Sequence, residues 1–317
     1  MSKHIPRHTR HLWLLCLLLG LILAGLLVGT LYIQKLLSQV HYVAPETVPN
    51  PATQGSEESI IQTTAAFLSQ EKTIHILLIG QDRLPEETRA RSDAMILCSF
   101  DRDVGTVTLT SFLRDLYVDI PGHGKNRLNA AYAAGGMTLL DQTLEKNFGV
   151  TIHGNVEVDF TQFSSIIDLL GGVELELRQD EADWLNGDLG TSLTQGRQLL
   201  TGSEALAYAR IRKLDSDGDF SRTGRHRKLL TAILQAYRKT DLPNALSLME
   251  AVFPLLTTDL TGPQILKYAM SLLPMLGDAQ VQTRHIPASG TYTSETIDGM
   301  WVLVPDLEAN RAILAEP

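Results

Sequence analysis

The sequence predicts an α/β fold: a mixed central sheet with helices on both faces. Three observations carry this. Runs 74–80, 94–100 and 106–112 are rich in Ile, Leu and Val, as in strands covered on both sides. Segments with apolar residues at helical spacing follow them, at Met137–Phe148 and Arg222–Arg238. Strand and helix patterns then alternate to the C-terminus, with no internal repeat, and 317 residues are ample for a core.

Taken in order, Leu12 to Ile33 carry no charged side chain, about the ~20 residues that span a bilayer as a helix. Lys3, Arg7 and Arg10 precede the run, so the positive-inside rule leaves the N-terminus cytoplasmic and the rest of the chain outside. A cleaved signal peptide is the alternative, but no small-residue cleavage site stands at the expected place. Val43–Glu71, with Pro45, Pro49 and Pro51, reads as a semi-extended linker with a short helix at Ile60–Leu68. The three apolar runs come next, then a short strand at Tyr117–Pro121 and a turn-rich loop at 122–129. A helix at Ala130 is stopped by Gly135-Gly136 and followed by Met137–Phe148. Further on, the patterns predict a strand at Ile152–Phe160, a helix at Phe163–Leu170, a strand at Val173–Leu177, a loop at Asp180–Gln195 and a helix at Gly202–Ile211. A loop at Lys213–Ser221 precedes the helix Arg222–Arg238. Helices at Asn244–Leu256 and Pro263–Leu273, strands at Val281–Ile286 and Gly299–Pro305, and a helix to Ala315 complete the chain.

Charge placement suggests a site. If the three apolar runs are antiparallel neighbours, Asp82, Arg91, Asp93 and Arg114 fall at one end of one sheet. Two carboxylates beside guanidiniums suit a divalent metal and a phosphorylated ligand, because magnesium takes one or two carboxylates and completes its shell with water and phosphate. A solvated charged loop explains the same spacing. A second cluster spans Tyr208–Arg227, where Arg210, Arg212, Arg222, Arg225 and Arg227 outnumber Asp215, Asp217 and Asp219. Arg222 and Arg225 are three apart and would share a helix face. A salt-bridged helix pair is the structural alternative.

Several classes are excluded. A net charge of -9 argues against a general nucleic-acid binder. The 2 cysteines, Cys16 and Cys98, have no metal spacing. The three aspartates lack the glycine and glutamate offsets of a calcium loop. There is no G-x-S-x-G, no Walker lysine motif and no G-x-G-x-x-G after a strand.

The blocks LLIGQD, RARSDAMIL, SFLRD, KNRLNAAYAAGG, ALAYARIR and DGDFSRTGRHRK, in that order, resemble the LytR–CpsA–Psr family of bacterial cell-envelope proteins over about Ile74–Leu234. The resemblance implies a three-layer α/β/α domain that moves a glycopolymer, such as wall teichoic acid or capsule, from a polyprenyl-pyrophosphate carrier onto the C6 hydroxyl of N-acetylmuramic acid in peptidoglycan. It implies magnesium, or manganese in its place, on Asp82 and Asp93. It implies pyrophosphate binding by Arg91, Arg114, Arg210, Arg212, Arg222 and Arg225, with no nucleic-acid partner. Asp82, Asp93, Arg91 and Arg114 would be the catalytic set. The prenyl tail needs an apolar groove, expected around Leu206 and the helix Met137–Phe148. The sequence departs from the family pattern at Phe112-Leu113, at Ser221 and at His226, the last replacing an amide. The expected organisation is a cytoplasmic 1–11, a membrane helix 12–34, a linker 35–72, a catalytic domain 73–242 outside the membrane, and an extension 243–317 packed on or continuing it. A polyprenyl-pyrophosphate pyrophosphatase and a non-catalytic envelope-binding or regulatory module are the alternative functions.

Overall fold

A computed structural model of the chain describes residues 29–45, 72–81, 91–238 and 242–316. Most of the expected membrane span, linker residues 46–71 and Asp82 lie outside these. Among the described residues no helix is long and apolar enough to cross a membrane.

A helical segment at 29–37 leads to β1 (His41–Tyr42), and β2 (Thr73–Gln81), β3 (Ser92–Asp101) and β4 (Thr106–Phe112) follow. Next come the hairpin β5 (Tyr117–Ile120)–β6 (Gly124–Arg127), α1 (Asn129–Phe148), β7 (Gly154–Asp159) and α2 (Phe160–Leu169). Then come β8 (Val173–Leu177), α3 (Gln179–Leu189), β9 (Gly196–Leu200), α4 (Gly202–Ala209) and α5 (Asp219–Arg238). The last part holds α6 (Leu242–Val252), β10 (Thr257–Thr258), α7 (Gly262–Leu276), β11 (Gln280–Ile286), β12 (Tyr292–Ile297), β13 (Met300–Pro305) and α8 (Leu307–Ala315).

The main sheet has seven strands in the order β1-β10-β7-β2-β3-β4-β11. β2, β3 and β4 are antiparallel neighbours, while β7 and β11 run parallel to β2 and β4 respectively, so the sheet is mixed. β10 and β11 come from residues 243–317, which therefore supply strands of this sheet.

Alternate residues of one strand enter different cores. Leu97 packs with Leu77, Ile79, Phe112 and the apolar residues of α1, whereas Ile96 and Cys98 pack with Val107, Leu109 and, from α5, Leu230 and Leu234. Helices thus cover both faces. Cys98 is a buried small hydrophobe whose thiol is pushed up to about 12 by burial. A third core, between β8–β9, α2, α3, α4 and the outer flank of α5, includes Ile167, Leu185, Tyr208 and Leu229. Here α4 approaches α2 so closely that a Cβ on Gly202 would lie 2.0 Å from the Ser164 carbonyl oxygen.

The local expectations err in identifiable places. Gly135-Gly136 kink α1 rather than end it, with Gly136 at φ 61°. The loop expected at 122–129 contains β6, paired with β5. The loop expected at 180–195 begins with α3. Its first turn carries Asp180 and Glu181, and Ala182 and Leu185, three apart, enter the core. Few apolar residues mark that helix, and Gly187 within it reads as a break.

Candidate active site

β2, β4, β7 and β11 all end at one edge of the sheet, where antiparallel β3 begins and α5 starts. At that edge Gly80 pairs with Ala94 and Gln81 with Ser92, so Asp93 is an extra residue in the ladder. Such a bulge re-aims a side chain, and Asp93 turns into a cluster of arginines. Arg114, just past β4, donates from Nη1 to Asp93 Oδ1 at 2.6 Å. Arg222, one turn into α5, donates from Nη2 to the Asp93 carbonyl at 3.1 Å and pairs with Asp219 Oδ1 at 2.6 Å. Arg212 lies 3.7 Å from Asp93 Oδ2, with its side chain 54% exposed. Asp219 is also 3.5 Å from Arg114 Nε, and its Oδ2 is buried without a partner.

Three guanidiniums therefore face two carboxylates. Nearby Asp115 is shared between Arg114 at 3.7 Å and Arg127 at 3.3 Å, so Arg114 makes its short contact with Asp93 rather than with its sequence neighbour. Burial pulls Arg114 down, but Asp219, Asp93 and Asp115 outweigh it and its pKa is raised. Burial dominates at the neighbouring pair: it lowers Arg222 and raises Asp219 despite their contact. Charges held at such cost mark a site rather than a stabilising bridge.

Of these arginines, Arg212 and Arg222 border a cavity of about 280 Å3. Its walls are apolar, from Leu78, Ile166, Leu206, Leu229, Ile233 and Leu256 among others, and Asp93, Arg210, Arg212, Arg222 and His226 also line it. The Arg210 guanidinium lies 4.9 Å over the Phe160 ring. His226 Nε2 is 3.0 Å from the Ala209 carbonyl oxygen, which only accepts, so Nε2 carries the proton. Nδ1 is buried without a partner. Burial, then the Arg222 charge, lowers this imidazole to about 4, so it is neutral at pH 7.

Of the residues expected at the site, Asp93, Arg114, Arg212 and Arg222 gather, and Arg210 lines the same cavity. Arg91 is exposed beside β3 and makes no ion pair among the described residues. Asp82 lies outside the described residues. Arg225 points elsewhere: Nε donates to Glu181 Oε1 at 3.0 Å, Nη1 to the Ile211 carbonyl at 3.3 Å, and Nη2 pairs with Asp215. Sharing a helix face does not give two long side chains one destination when different elements flank them. The groove expectation also needs correction. Leu206 lines the cavity, but Met137, Leu139, Leu140, Leu144 and Phe148 pack on the opposite face of the sheet. Asp219 was missed, although an acidic residue three before Arg222 at a helix start is a readable signal.

A family model matches residues 40–316. The chain belongs to the LytR_cpsA_psr family. It is 30% identical over 320 residues to a polyisoprenyl-teichoic acid–peptidoglycan teichoic acid transferase, TagU, of Oceanobacillus iheyensis, covering 98% of this chain and 94% of that protein. Among solved structures it resembles TagT bound to LIIa-WTA, with a TM-score of 0.64 and 28% identity over 77% of this chain and 90% of that one. It also resembles the LytR-CPS2A-psr family protein YwtF (TagT) with bound octaprenyl pyrophosphate lipid, with a TM-score of 0.60 and 26% identity over 77% and 89% of the two chains.

Proposed function

We propose that this member of the LytR_cpsA_psr family transfers a glycopolymer from a polyprenyl-pyrophosphate carrier onto peptidoglycan. One observation carries the reading: a surplus of guanidinium charge lines an otherwise apolar cavity, which suits an amphiphile with an isoprenoid tail and a pyrophosphate head. The names of the TagU relative and of the TagT structures with LIIa-WTA and with octaprenyl pyrophosphate lipid support it.

In this reading the acceptor hydroxyl oxygen attacks the sugar-linked phosphorus. The bond from that phosphorus to the bridging oxygen breaks, and polyprenyl phosphate leaves. Negative charge grows on the bridging and equatorial oxygens, where Arg114, Arg212 and Arg222 stand ready. Their positions are fixed by Asp93 and Asp219, so little reorganisation is needed. The hydroxyl proton passes to a carboxylate, Asp93 or Asp82. Arg91, exposed at the start of β3, joins the pyrophosphate contacts from the rim.

Magnesium fits this donor set in a limited way. Among the described residues no three carboxylate, imidazole or thiol groups gather around one point. A cation that keeps waters and takes phosphate oxygens needs fewer protein ligands. Asp93 and Asp82 would hold it, and the unpartnered Asp219 Oδ2 offers a further oxygen nearby. When bound, magnesium would supply charge neutralisation at the phosphate oxygens.

The run at 12–34 anchors the chain in the cell membrane, with the domain outside. The segment 29–37 supports this geometry: Lys35 and Tyr32 reach Glu250 on α6 at 3.2 and 3.5 Å, and Val252 and Leu256 beyond it line the cavity. The described segment 29–37 thus lies against α6, whose Val252 belongs to the cavity wall.

The test is polymer transfer in vesicles holding the lipid-linked donor, with and without peptidoglycan. Arg114→Ala and Asp93→Ala are expected to abolish transfer while circular dichroism shows a folded domain. Full transfer by both variants overturns the assignment. Release of polyprenyl phosphate at equal rates with and without acceptor identifies a pyrophosphatase instead.

A further inference from the structure

Glu157 is a buried carboxylate that the reading above does not use. It stands on β7 and is 6% exposed. Both of its oxygens are taken by neutral donors: the Gln81 amide donates from Nε2 to Oε1, and the Tyr132 hydroxyl donates to Oε2. Gln81 and Tyr132 are themselves buried. Among the described residues Glu157 makes no ion pair, whereas the buried Glu181 is held by Arg225. Taking a carboxylate out of water without a cation is costly, and an apolar side chain would fill the same space. What the carboxylate adds is a pair of strong acceptors aimed at two different elements.

Those elements are the ones that supply the site. Val156 and Val158 line the cavity, so Glu157 between them points to the opposite face of the sheet, the face of α1. Leu77 and Ile79 of β2 pack on that face with Tyr132, and Gln81 follows them in alternation. Gln81 is the last paired residue of β2, opposite Ser92 on one side and Asp159 on the other. The bulge that turns Asp93 begins at that rung. Glu157 is in register with Ile79, so the Gln81 side chain reaches across to β7 and back by two residues. Tyr132 lies in the first turn of α1, three residues after Asn129, whose backbone N–H donates to the Arg114 carbonyl at 3.3 Å. One carboxylate thus joins the strand end beside Asp93 to the helix turn that holds the backbone of Arg114. These are the two residues in contact at 2.6 Å in the site.

We propose that Glu157 is a positioning residue for the transfer reaction. By gripping Gln81 and Tyr132 it ties the bulge at Asp93 to the turn that holds Arg114, and so fixes how the carboxylate and the guanidinium meet. Glu157 lies on the sheet face away from the cavity and acts only through these neighbours. A misplacement of about 1 Å at reacting groups costs roughly a hundredfold in rate, so a tie at this remove carries a kinetic signature. The kinetic part rests on the transfer reading; the grip on the strand end does not.

The experiment compares Glu157→Met with the conservative Glu157→Gln in the full chain, in vesicles holding the lipid-linked donor and peptidoglycan. Methionine fills the space but offers neither Gln81 nor Tyr132 an acceptor. Glutamine restores both ties, its carbonyl accepting from Tyr132 and its amide donating to a turned-over Gln81 amide. Per folded molecule, Glu157→Met is expected to lose about thirtyfold or more in kcat while the KM for donor stays within roughly threefold. Glu157→Gln should keep kcat within about fivefold of wild type, since neutral hydrogen bonds replace charge-assisted ones. Hydrogen exchange at Gln81 and Ser92–Ala94 should run roughly tenfold faster in Glu157→Met than in wild type, and slow again in Glu157→Gln. A Glu157→Met with wild-type kcat per folded molecule and only a lower melting point is structural, and overturns the proposal. Equal losses of kcat in the two variants also overturn it. If wild type itself transfers no polymer, the transfer reading fails and exchange alone decides: acceleration reversed in Glu157→Gln keeps the tie, and unchanged exchange removes it.

Discussion

Two arginine clusters flank the first turns of α5, and they differ in what closes them. Around Arg222, three guanidiniums face Asp93 and Asp219, Arg212 is more than half exposed, and Asp219 Oδ2 has no partner. Around Arg225, two guanidiniums meet Glu181, Asp215 and Asp180, and the Ile211 carbonyl takes a further N–H. Arg225 also lies over the Tyr208 ring, 5.8 Å from its centroid. The first cluster is short of negative charge and opens on a cavity. The second is closed and joins α3 to α5. Arginine content alone does not separate a binding site from a brace; the count and accessibility of the acids do.

The largest expected effect breaks the first cluster. Arg222→Ala should lower the transfer rate by at least about a hundredfold, the scale of losing one fixed donor to a transition-state oxyanion. Its melting temperature should fall less than that of Arg225→Ala, because burial already opposes the charge there and Arg114 stays 3.5 Å from Asp219. A variant with near-normal transfer would move Arg222 out of the reaction.

Breaking the second cluster should do the reverse. Arg225→Ala strands Glu181, which is 1% exposed, and should cost about 3–5 kcal/mol in urea unfolding. Turnover per folded molecule should hold. The contrast sharpens with Glu181→Leu/Arg225→Met, expected to recover most of that loss, since apolar residues of similar size replace buried ion pairs at little net cost. If Arg225→Ala were instead stable and inactive, Arg225 would belong with the pyrophosphate ligands after all.

The clusters also show what the sequence could and could not say. Apolar runs of period and length typical of strands made β2, β3 and β4 legible, and with them the convergence of Asp93 and Arg114 at one edge. The apolar face of Arg222–Arg238 announced α5. Destinations of side chains were less legible. Arg222 and Arg225 differ by 300° of helix rotation, only 60° apart in projection, yet α3 and the loop at Asp215 claim one and β3 claims the other. That division rests on α3, whose sparse apolar residues hid it. Likewise the amphipathic pattern of Met137–Phe148 revealed a helix but not which face of the sheet it covers, so of the expected groove Leu206 lies at the cavity and the helix on the opposite side. Periodicity reports that a face is buried and is silent about its partner.

The smallest effect concerns the residue that joins Arg222 in the cavity. Folded His226 takes a proton only below about 4, against 6.5 for an unperturbed imidazole. Between those values the unfolded chain binds more protons than the folded one, so stability falls as pH drops from 6.5 toward 4. The loss attributable to this residue is at most about 3 kcal/mol. His226→Gln removes the titration, and its amide can still donate to the Ala209 carbonyl. Urea unfolding at pH 7 and pH 4.5 should therefore show a smaller difference for the variant than for wild type. Parallel pH dependences would mean that the imidazole does not sit neutral beside Arg222. A neutral, fixed ring is also what keeps the positive surplus of the first cluster with the guanidiniums. Transfer by His226→Gln should then stay within a few-fold of wild type at pH 7, while Arg222→Ala remains inactive.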